Sequence, residues 1–144
     1  MKKIRVITLA ILVCISLTAL TVPALTQQVN VQALIELFIS SPVAAMDQLL
    51  ELAKTDPQSV ALVLAGVAER AYALRATNPD LAASLEDSVA LTCVHLLDVD
   101  PSAAALAVVT IKDKVPEVGE WVERVTVAAG LERSYLVAAS PVRP

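Results

Sequence analysis

The chain is poor in the residue types from which specialised chemistry is usually built. Of 144 residues only 3 % are aromatic, three are glycine, two are cysteine and one is histidine. With so few rings the core must consist of Ala, Val and Leu. Such side chains let helices approach closely, although each buries less area than an aromatic would. The three glycines, Gly66, Gly119 and Gly130, lie far apart and form no phosphate-cradling loop. His95 alone cannot make a zinc site, which needs roughly three or four ligands, and Cys93, two residues earlier, points to another side of a helix. Asp98 and Asp100 form a D-x-D pair, but Asp100 stands where a helix cap is needed. No G-x-S-x-G elbow occurs, and Glu86 and Asp87 are adjacent rather than convergent. The sequence names no catalytic, cofactor-binding or metal-ligating residue, and it points away from an enzyme.

What is abundant is apolar: 56 % of the residues are hydrophobic. Part of this belongs to the first 26 residues. Lys2, Lys3 and Arg5 precede an apolar run from Val6 to Val22, then Pro23, the small Ala24 and the polar Gln27 and Gln28. That order predicts a signal peptide over residues 1–26, with export to a periplasmic or extracellular space. Residues 6–25 are also just long enough to stay as a membrane anchor, the alternative reading. Cleavage takes away three bases and no acid, moving the net charge from −4 to −7. An acidic domain of this kind is a poor ligand for nucleic acid or anionic lipid. Cys93 is then the one cysteine left, so no internal disulfide is expected.

The mature chain is punctuated by one repeated signal. Asp56-Pro57, Asn78-Pro79 and Asp100-Pro101 place their prolines 22 residues apart, and each leads into a run of Ala, Val and Leu. An Asp or Asn side chain accepts from the free N–H groups of a first helical turn, and proline at the next position loses no hydrogen bond there. Each dipeptide predicts a helix start, and Ser41-Pro42 and Pro116 predict two more. The expected fold is all-α, a bundle of five or six helices over residues 27–138, with 139–144 as a loose tail. The equal spacing also allows a short α-solenoid of two-helix units about 44 residues long. A stop is expected at Gly130.

Helical spacing predicts which faces are buried. In the helix that starts at Ser41-Pro42 these are Val43, Met46, Leu49, Leu50 and Ala53. The helix after Pro57 carries no charge from Val60 to Ala68 and reads as apolar all round, which marks it as central. Leu81, Leu85, Val89, Thr92 and Leu96, with Cys93, form the stripe of the next helix. Val108 to Ile111 is β-branched but lies within a run opened by a helix start. Trp121 falls in register with Val118, Val122 and Val125, and Glu120 can pair with Arg124. Gly66 is expected at a close helix contact and Gly119 where added bulk can lean into water.

Apolar faces on nearly every helix of so small a domain suggest a scaffold or interaction module that binds a protein partner or itself. The candidate contact residues are Leu62, Leu64, Val67, Leu85, Val89 and Trp121. The second expectation is a carrier of an apolar ligand held between helices around residues 60–74 and 81–97. Intact mass of exported material should match a chain beginning between Leu25 and Gln27. Full-length chain in a membrane fraction would favour the anchor instead.

Overall fold

The structure is a computed structural model, and it describes residues 29–139. The signal-peptide and anchor readings, and residues 140–144 of the tail, lie outside the described residues. Helix accounts for 89 % of the described part, with no strand among those residues. The six helices are α1 (Val31–Ser40), α2 (Pro42–Ala53), α3 (Pro57–Leu74), α4 (Pro79–Val99), α5 (Pro101–Lys114) and α6 (Pro116–Ala139).

Five of the six begin on a proline, as the local chemistry requires. Asp56 accepts from the Ser59 N–H at 3.0 Å, Asn78 from Leu81 at 3.2 Å and Asp100 from Ser102 at 2.9 Å. The Ser59 hydroxyl also donates to Asp56 and holds its carboxyl below the usual carboxylate range. Ser41 makes no side-chain cap, so α2 starts on the proline alone. Asp100 works twice: its N–H closes α4 on the Leu96 carbonyl at 2.8 Å while its side chain opens α5.

Each helix packs on the next and on the next but one, from α1 against α2 and α3 through to α4 against α5 and α6. The outcome is a compact bundle in two rows, α1–α3–α5 and α2–α4–α6. This is also the order in which stacked helical hairpins pack. The 44-residue step survives between the starts of α3 and α5, while α1 and α2 are much shorter than the pair after them.

α3 lies at the centre, packed on α1, α2, α4 and α5. Val60, Ala61, Val63, Leu64, Ala65, Val67, Ala68 and Ala71 are all buried. It is not buried on every side, however, since the apolar Leu62 and Ala73 face outwards. Val89, Cys93 and Leu96 complete the interior from α4, and among the described residues Phe38 is the largest fully buried side chain. Small residues decide the facing of α2, where Ala45, Leu49 and Ala53 are buried while Val43 is 70 % exposed. Valine is the more hydrophobic, but alanine lets α2 come closer to its neighbours. On α5 Ala104, Ala107, Val108 and Ile111 turn inwards, and Val109 does not.

Two further expectations are overturned on α6. The helix passes through Gly130 and continues to Ala139. No described residue has positive φ, so no left-handed cap forms there. The segment from Leu131 to Ala139 contains no proline or glycine to end a helix. Glu123 rather than Glu120 carries the ion pair of this region, with Lys112 at 2.7 Å.

Gly66 sits at the close helix contact expected of it, whereas Gly119 does not lean into water. A Cβ on Gly119 would strike the Lys112 backbone, 2.7 Å from its N and in closer contact with its Cα. On Gly66 it would strike the Ile35 side chain of α1, in closest contact with its terminal Cδ1 and 3.2 Å from Cγ1. Backbone cannot retreat as a side-chain tip can. Gly119→Ala should therefore lower stability by about 1–3 kcal/mol. Gly66→Ala should be neutral or gain up to ~1 kcal/mol from helix propensity. Urea midpoints of the two variants check this, and a Gly119→Ala protein as stable as wild type would refute the close crossing.

Candidate interaction surface

The α5–α6 hairpin turns at Val115, and near the turn Gly119 of α6 lies against the backbone of Lys112 on α5. Further from the turn a groove of about 300 Å³ opens between them. Its walls are Ala105, Val108 and Val109 from α5 and Thr126, Val127 and Gly130 from α6, with Leu97 of α4 below. Val109 and Val127 are each 55 % exposed, and Leu131, one turn beyond Val127, is 57 % exposed. These are large apolar side chains left facing water on adjacent helices.

The polar groups of the groove are already engaged. The Thr126 hydroxyl donates to the Val122 carbonyl at 2.8 Å. Glu123, at the rim, accepts from Lys112 across the hairpin, and that carboxylate raises the lysine's pKa. Both side chains are over two-fifths exposed, so the bridge contributes little to stability. The groove therefore offers shape and apolar surface rather than a reacting group.

The predicted contact residues divide differently. Leu64, Val67, Leu85 and Val89 are fully buried and fill the interior between α3 and α4. They cannot meet a partner while the domain is folded, and packed side chains occupy the space assigned to an apolar ligand. Leu62 is 40 % exposed but does not line the groove. Trp121 is half-buried against the core, away from the groove lining. Sequence reasoning missed Val109, Val127 and Leu131. The four-residue step from Val127 to Leu131 was a legible signal, but only for a helix that continues past Gly130.

A second hollow, about 330 Å³, lies between the end of α3 and the α5–α6 turn, lined by Glu69, Tyr72, Lys114 and Glu117 among others. Beside it Arg75 donates to Glu86 at 2.7 and 3.1 Å and to Glu117 at 3.2 Å, and its guanidinium lies 5.0 Å from the Tyr72 ring. The Tyr72 hydroxyl donates to Glu117 at 3.4 Å. This cluster ties α3, α4 and α6 together. Its partners are spent on one another, which makes it a clasp. Among the described residues no group of three or more His, Cys, Asp or Glu side chains is placed to hold a metal ion.

No family model matches the chain, and no curated protein or solved structure is detectably similar to it.

Cys93 is fully buried, and burial pushes its thiol up to about 12. At pH 8 native labelling should be at least on the order of a thousandfold slower than labelling in denaturant, because the thiolate fraction falls by that factor. The sign of the pH effect follows from the raised value. The neutral thiol's contribution is complete below the unfolded-state pKa and is lost as pH rises from there towards 12. The urea midpoint should fall above about pH 9, less steeply in Cys93→Ala. Rapid native labelling would show that the α4 face is open.

Proposed function

We propose that this chain is an exported, acidic, non-enzymatic helical module that works by holding a helix of another protein, or of a second copy, in the α5–α6 groove. The observation that carries the reading is the groove itself, apolar and open, with Val109 and Val127 more than half exposed along it. A helix laid along it would touch α5 and α6 as helices within the domain touch the two before them. Apolar helix faces seated in such grooves are a recurring mode of recognition. Export rests on the basic, apolar and small-residue order of residues 1–26.

Light scattering on the mature protein, together with binding of an apolar dye and of a designed Leu/Ala amphipathic peptide, tests the proposal. The wild type should self-associate or bind both probes. The double variant Val109→Asp, Val127→Asp should be monomeric and bind neither, with its urea midpoint almost unchanged because both positions are exposed. A wild-type monomer that binds neither probe would refute the proposal, as would a double variant that behaves like wild type.

The groove's volume supports a second reading, a carrier of a small apolar ligand, since it reaches the lower end of the ~300–1,000 Å³ range of such sites. Native mass spectrometry of freshly purified protein decides. No co-purifying ligand and no thermal shift with fatty acids would remove it.

A further inference from the structure

We draw no further inference here: the strongest candidate, the shallow apolar hollow where Val43 of α2 and Leu91 of α4 stand exposed, is an unpartnered face, and nothing in the structure shows what covers it.

Discussion

Close approach of helices around α3 is the constraint on which this domain depends. A core with little aromatic volume gains stability only if its helices come near enough for Ala, Val and Leu to fill the space between them. α3 meets that condition with eight buried residues, four of them alanine, and neighbours from both rows. The same rule sets the details elsewhere. Ala45 displaces Val43 from the core of α2, and Gly119 lets α6 rest against the backbone of Lys112. Where a smaller side chain permits a shorter helix-to-helix distance, the packing gained along the whole contact outweighs the area of one exposed valine.

That constraint also explains why a groove exists. Gly119 of α6 lies against the backbone of Lys112 on α5, and the groove lies on their stretches beyond that contact. Filling it would need either larger side chains or another helix. Ala105 and Gly130 are small, and the exposed valines lie along the gap without closing it. Electrostatics plays a lesser part in holding the hairpin, since both side chains of the Lys112–Glu123 bridge are over two-fifths exposed. The Arg75 clasp matters for geometry, because one guanidinium reaches carboxylates on both α4 and α6.

Much of the architecture was legible from local chemistry. The starts of α3, α4 and α5 follow from Asp56, Asn78 and Asp100 with their prolines, because a cap and a fixed φ act within one turn. The central role of α3 follows from its uncharged first half. The burial of Cys93 and Val89 follows from helical register. Reading the surface was harder. Leu64, Val67, Leu85 and Val89 suggest contact residues because they are apolar, yet the same property buries them. Hydrophobicity alone does not distinguish a side chain that seeks the core from one left outside it.

The sequence by itself determined the all-helical class, the helix starts and the make-up of the core, since these depend on neighbours within a turn or two along the chain. Only the tertiary structure decided which glycine is pressed against backbone, that α6 runs on past Gly130, and that Val109 and Val127 border one open groove. Those features depend on the distance and angle between helices far apart in sequence. Distance and angle are set jointly by every side chain at a contact, and the spacing along one helix does not record them.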